Sequence, residues 1–133
     1  MLKNIKTLLR NNSFIIAFVT TIIIVCLSLI RVPNAPIKLT FTNIDKIFHG
    51  FAYFMLALSW LIAYYKKPNK KYWIVILCIV FGIIIELLQS KITLYRSGDY
   101  LDVIANSVGA LSALLIFNII SKKNRLINNK TCI

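Results

Sequence analysis

Acidic residues are nearly missing from this chain: four Asp and Glu stand against sixteen Lys and Arg in 133 residues. Histidine is scarcer still, with one copy. Any chemistry that needs a carboxylate or an imidazole is therefore confined to a few positions. Glu86, Asp99 and Asp102 lie in one stretch from Glu86 to Gly109, and the remaining acid, Asp45, sits beside His49. Cysteine is too sparse for a disulfide framework. Cys26 and Cys78 fall inside apolar runs and Cys132 in the tail, and no C-x-x-C or Cys/His ligand spacing occurs. These thiols read as small apolar fillers. There is no internal repeat and no low-complexity segment.

What is abundant is apolar surface. Apolar residues make up 59% of the chain and the mean hydropathy is +0.77, against about 45–50% apolar for an ordinary water-soluble domain. The composition predicts one membrane-embedded domain spanning residues 1–133. A net charge of +12 raises the question of nucleic acid. The basic residues occur as short clusters flanking apolar runs, without the polar, aromatic-interleaved surface of such binders, so nucleic acid is excluded as a partner. They read instead as topology signals.

Lys3, Lys6 and Arg10 precede the uncharged run Phe14 to Ile30. As a helix its 17 residues span about 25 Å, near the minimum for crossing. A signal peptide is the competing reading, but no A-x-A pattern follows, so the run is expected to be an uncleaved first helix. Pro33 and Pro36 forbid its continuation. Asn43 is the expected N-cap of a second helix at about 44–65, with Asp45 in its first turn. The basic turn KKPNKK from Lys66 to Lys71 leads into a third helix at about 72–89. A loop from Ser90 to Gly98 precedes a fourth at about 99–120, and a polar tail follows at 121–133. The fold expected is an all-α integral membrane bundle of four transmembrane helices. Eleven Lys and Arg lie at the N-terminus, the KKPNKK turn and the tail, and five lie in the other two loops and their helix ends. The positive-inside rule then places both termini in the cytoplasm of a multi-pass cell-membrane protein, with all four acids toward the outer face.

Asp45, His49 and Tyr53 fall at i, i+4 and i+8 and share one stripe of the second helix. Gly82, Glu86 and Gln89 form a similar stripe near the end of the third, and Asp99, Asp102, Asn106 and Gly109 another at the start of the fourth. Each group has a bland reading. Asp45 is a first-turn carboxylate, Asp99 with Asp102 an N-cap and its partner, His49 an interhelical tie, and Lys46 and Arg96 snorkelling cations. Gly82 and Gly109 mark close helix approach. Glu86 resists this treatment. It lies near a helix C-terminus, where the dipole disfavours a carboxylate, and an ionisable group at membrane depth costs roughly 2.5–3.5 kcal/mol. A partner cation such as Arg96, a proton or a bound metal must offset that cost.

The stretch DKIFHGFAY from Asp45 to Tyr53, the pair Glu86 and Gln89, and the run R-S-G-D-x-x-D-x-x-x-N-x-x-G from Arg96 to Gly109 resemble the pattern of VanZ-like bacterial membrane proteins, a family named for a member associated with teicoplanin resistance. The likeness runs from Asp45 to about Ile120; at Ala113 this chain departs from a glycine that many relatives carry. The resemblance implies a cell-envelope role, with head-group or phosphate chemistry on a phospholipid or lipid-linked cell-wall intermediate at the outer leaflet. If the protein is an enzyme, His49, Asp45, Glu86 and Asp102 are its catalytic candidates, with His49 the acid, base or nucleophile, Asp45 its orienting partner and Glu86 a second acid or base. Lys46, Tyr53, Gln89, Arg96, Asp99 and Asn106 are the substrate-binding candidates, with the two cations on a phosphate. Asp99, Asp102 and Asn106 would hold a metal or the attacking alcohol. No cofactor is fixed by the sequence. The carboxylates would repel a phosphate unless paired, protonated or bridged by a divalent cation. The alternative is a non-catalytic module that binds lipid-linked intermediates or scaffolds envelope proteins. A transporter would require an oligomer to build its pathway.

Overall fold

A computed structural model describes residues 12–29, 42–92 and 100–130, and every regular element among them is helical. In chain order these are α1 (Ser13–Leu29), α2 (Thr42–Ala63), a short 3-10 turn (Pro68–Lys70), α3 (Lys71–Ile92) and α4 (Tyr100–Lys130). Ile- and Val-rich runs such as YWIVILCIVFGIII are good strand formers in water. Their uninterrupted apolar length favours helix instead, because only a helix satisfies every backbone group within its own segment once water is excluded.

Three segments are long and apolar enough to cross a membrane, Ile44–Ala63, Pro68–Lys91 and Tyr100–Lys123. The first helix, with 17 residues, falls short of that length class. Helix ends differ from the expected ones in instructive ways. The second helix begins at Thr42, so Asn43 lies in its first turn rather than capping it. The third continues to Ile92, through residues expected to be loop. The fourth runs on to Lys130 as one helix of 31 residues, about 46 Å long, where the polar composition after Ile120 suggested a frayed tail. The sequence-based expectations for Arg96 and Asp99 fall outside the described residues.

Cross-helix contacts fix the directions. Lys46 meets Asp102 and Tyr65 meets Phe117, so α2 and α4 run parallel. Tyr53 lies by Gly82 and Lys71 bonds Asn118 at 2.9 Å, so α3 runs against both. Phe14 packs on Tyr64 and Phe18 on Trp60, which sets α1 antiparallel to α2. The bundle therefore has two distinct ends. One carries the starts of α2 and α4 with the close of α3; the other carries the lysine-rich turn.

The most extensive helix contact is between α2 and α4, and glycine permits it. A Cβ at Gly109 would collide with the Gly50 carbonyl and approach the Phe54 amide nitrogen to 3.0 Å. Beneath this crossing Leu56, Ala57, Leu61, Val75, Cys78, Ala110, Ala113 and Phe117 form the apolar core. Ala113 is fully buried there. The large apolar side chains that remain, such as Leu27, Ile47, Phe51, Leu77, Leu87, Leu115 and Ile119, point outward. A helix that is apolar on its outer face and small or polar within suits a lipid surround.

Candidate functional site

The inward side chains at the end shared by the starts of α2 and α4 are polar. Glu86, Gln89, Asp102 and Asn106 are all buried, and so is Tyr53. The i, i+4, i+8 spacing of α2 stacks Asp45, His49 and Tyr53 in descending order along one stripe. On α4 Asp102 and Asn106 repeat the step, and on α3 Glu86 and Gln89 face inward one turn apart.

The mouth is a four-residue charge cluster. Lys46 Nζ lies 3.7 Å from Asp102 Oδ1. His49 Nε2 lies 3.9 Å from Asp45 Oδ1 and 4.0 Å from Asp102 Oδ2, so one imidazole nitrogen stands between two carboxylates. All three separations exceed a hydrogen-bond distance. Side-chain exposure falls from 51% at Asp45 through 25% at Lys46 and 5% at Asp102, with His49 at 13%, so the cluster runs from an exposed rim to a buried floor. Each aspartate occupies the first turn of its helix, where the dipole favours negative charge. Asp45, His49 and Asp102 each offer one metal-ligating atom, and these atoms lie within 4.8 Å of one another. Asp102 is also one of the Asp99, Asp102 and Asn106 set expected from sequence to hold a metal or the attacking alcohol, of which Asp99 lies outside the described residues.

Deeper than this charge cluster Tyr53, Asn106 and Glu86 are all buried. The Tyr53 ring lies against the α3 backbone at Gly82, where an added Cβ would stand 3.0 Å from Tyr53 Cε1 and 3.4 Å from Asn106 Cβ. The Tyr53 hydroxyl, Asp102 Oδ1 and Asn106 Oδ1 are buried and make no hydrogen bond among the described residues. Burying such a group unsatisfied costs about 1–3 kcal/mol, so three together are an unusual concentration. Gln89 is used differently: its amide Nε2 donates to the Ser28 carbonyl at 2.8 Å, binding α3 to α1. Trp60 Nε1, which donates to Thr21 Oγ1 at 3.1 Å, ties α2 to α1 in the same way.

The sequence-predicted residues Asp45, Lys46, His49, Tyr53, Glu86, Asp102 and Asn106 are thus brought to one end of the bundle, and Gln89 borders the same region while bonding to α1. Gly50 was missed. Its backbone carbonyl is what Gly109 packs against at the α2–α4 crossing, and its position directly after His49 in a chain of four glycines was the available signal.

Residues 3–121 match the VanZ/LLP1 family. An uncharacterised protein of Schizosaccharomyces pombe is 30% identical over 114 residues, covering 84% of this chain and 67% of that protein. No solved structure matches the chain.

Proposed function

The chain belongs to the VanZ/LLP1 family, and on that footing we propose that it is a multi-pass cell-envelope protein whose chamber engages the head group or phosphate linkage of a membrane amphiphile. The substrate class is a phospholipid or a lipid-linked cell-wall intermediate, drawn from the outer leaflet. The reaction class is transfer or hydrolysis at the phosphodiester. A bearing on glycopeptide resistance, teicoplanin included, would follow from such chemistry on a wall intermediate. The observation that carries this reading is the cluster of buried polar groups without hydrogen-bond partners, the Tyr53 hydroxyl, Asp102 Oδ1 and Asn106 Oδ1, beneath a partly exposed charged mouth.

Roles follow from depth. Lys46 at the mouth supplies a cation for a phosphate oxygen, and Tyr53 and Asn106 supply hydrogen-bonding groups for the head group. His49, held between two carboxylates, organises the mouth. Glu86, the buried carboxyl of the apolar α3, is the group placed to take up and return the proton of the attacking hydroxyl. The outward lipid-facing residues keep water from the chamber walls, which strengthens each polar contact within.

The test is turnover of radiolabelled phospholipid and polyprenyl-phosphate substrates by the full chain in nanodiscs. Glu86→Gln is expected to lower turnover by 2–4 orders of magnitude, the usual range of about 10²–10⁴ for acid–base catalysis, while the lipid still co-purifies. Full turnover in that variant would remove Glu86 from the chemistry. A non-catalytic recognition module is the second reading, favoured by the use of Gln89 as an interhelical tie; its signature is bound lipid in the unmodified protein with no turnover at all.

A further inference from the structure

We propose that Asp45, His49 and Asp102 bind a single divalent first-row cation, of the Zn²⁺ or Mn²⁺ class, at the mouth of the chamber. The donor atoms come from one turn of α2 and the first turn of α4, and all lie within 4.8 Å of one another. The imidazole nitrogen is 3.9 Å from one carboxylate oxygen and 4.0 Å from the other. Bonds of about 2.0–2.2 Å to a tetrahedral ion set donors roughly 3.3–3.6 Å apart, so closing the trio takes under about 1 Å for each imidazole–carboxylate pair and at most about 1.5 Å between the carboxylates, within rotamer adjustment for Asp45 on the exposed rim. One imidazole with two carboxylates is a mixed donor set, borderline rather than soft, and leaves coordination positions open.

A second observation points to the same place. Asp102 is buried with Oδ1 lacking any hydrogen bond among the described residues, and Asn106, one turn deeper on the same helix, is buried with Oδ1 in the same condition. A coordinated ion and its bound water satisfy both. Lys46, 3.7 Å from Asp102 Oδ1 and a quarter exposed, marks where positive charge belongs; when the ion enters, its flexible stem carries the ammonium outward. Two carboxylates neutralise a divalent ion, and its open positions can then accept an anionic oxygen. That resolves the repulsion between a phosphate and the acids of this site. With Nε2 committed to the ion, His49 carries no proton at that atom. The binding claim rests on the donor geometry; only the use of the ion to hold a phosphate rests on the head-group reading.

The experiment uses the full chain without a histidine tag, in detergent, stripped with chelator and with no lipid added. Zn²⁺ alone is titrated by calorimetry and Mn²⁺ alone by loss of its free-ion paramagnetic resonance signal. One ion per chain is expected. His49→Ala and the near-isosteric Asp102→Asn should each weaken it on the order of 100-fold or more, beyond the usual effect of an outer-shell partner. Asp45→Asn, at the exposed rim and harmless to packing, should weaken it about 10-fold by the same scale. Lys46→Met should bind as tightly or more tightly, and replacement of Cys26, Cys78 and Cys132 by serine should change nothing. The proposal is overturned if the unmodified chain binds no ion, if all three ligand variants bind as it does, or if serine replacement of the cysteines abolishes binding. An ion bound without lipid turnover would instead count against the head-group reading alone.

Discussion

The Tyr53 hydroxyl sits one turn below His49, at 1% residue exposure and without a hydrogen-bond partner among the described residues. In a merely structural chamber such a hydroxyl is a liability, since it has surrendered its water and received nothing in return. Removing it should then leave stability unchanged or improve it by about 1 kcal/mol. If the hydroxyl serves a head group, its removal should damage function while sparing the fold. Tyr53→Phe is therefore expected to keep or raise the melting temperature in detergent and to lower lipid turnover about 10-fold, the worth of one net hydrogen bond of about 1–1.5 kcal/mol. A drop in melting temperature with intact turnover would assign the hydroxyl to the scaffold. The ring itself stays in place in this variant, because it packs at Gly82 and beside the tilted Phe81 ring 6.4 Å away.

Between elements, the depth of the chamber is set by how closely α2 approaches α4. Three glycines grade that dependence. At Gly109 a methyl group meets the Gly50 carbonyl and the Phe54 amide, which are backbone atoms and cannot rotate away. At Gly82 it meets a ring atom of Tyr53 at 3.0 Å, which can shift at some expense to the chamber. At Gly50 it meets only the Ala105 carbonyl at 3.4 Å. Gly109→Ala should therefore cost about 1–3 kcal/mol of overpacking, lowering the melting temperature by several degrees and weakening ion and lipid binding together. Gly82→Ala should disturb the site more than the fold, and Gly50→Ala should be near neutral, its tight contact offset by about 1 kcal/mol of helix propensity. Thermal unfolding of the three variants side by side checks the order; equal effects would mean the crossing is looser than its geometry requires. The same crossing shows where local sequence stops being informative. Spacing alone aligned Asp45 with His49 and Asp102 with Asn106, because i, i+4 neighbours share a helix face whatever surrounds them. It could not pair Lys46 with Asp102, since that contact depends on two glycines 59 positions apart (50 and 109) meeting.

For the whole molecule, the apolar runs announced the helices because nothing but helix can bury so much uninterrupted backbone. The short α1 was legible as well, its 17 residues shifted by one position from the expected run; not legible were its ties to its neighbours through Ser28 and Thr21 and the reach of α4 to Lys130, where polar composition hid a continuing helix. The direction of the bundle across the membrane rests on charge. By sequence, eleven Lys and Arg belong to the N-terminal segment, the KKPNKK turn and the tail, and five to the other two connections and their helix ends; the lysine-rich turn lies at the end opposite Asp45, His49 and Asp102, because α2 and α4 run parallel. The positive-inside rule predicts that this turn faces the cytoplasm and the Asp45, His49 and Asp102 end faces outward. In a background with Cys26, Cys78 and Cys132 replaced by serine, Asn69→Cys in the turn should resist a membrane-impermeant maleimide in intact cells and react once they are permeabilised. Lys38→Cys, in the connection before α2, should react without permeabilisation. The reversed pattern would turn the mouth to the cytoplasm and exclude outer-leaflet wall intermediates as its ligands. Labelling of both sites from outside would mean that α2 does not cross, since those two positions flank it and nothing else.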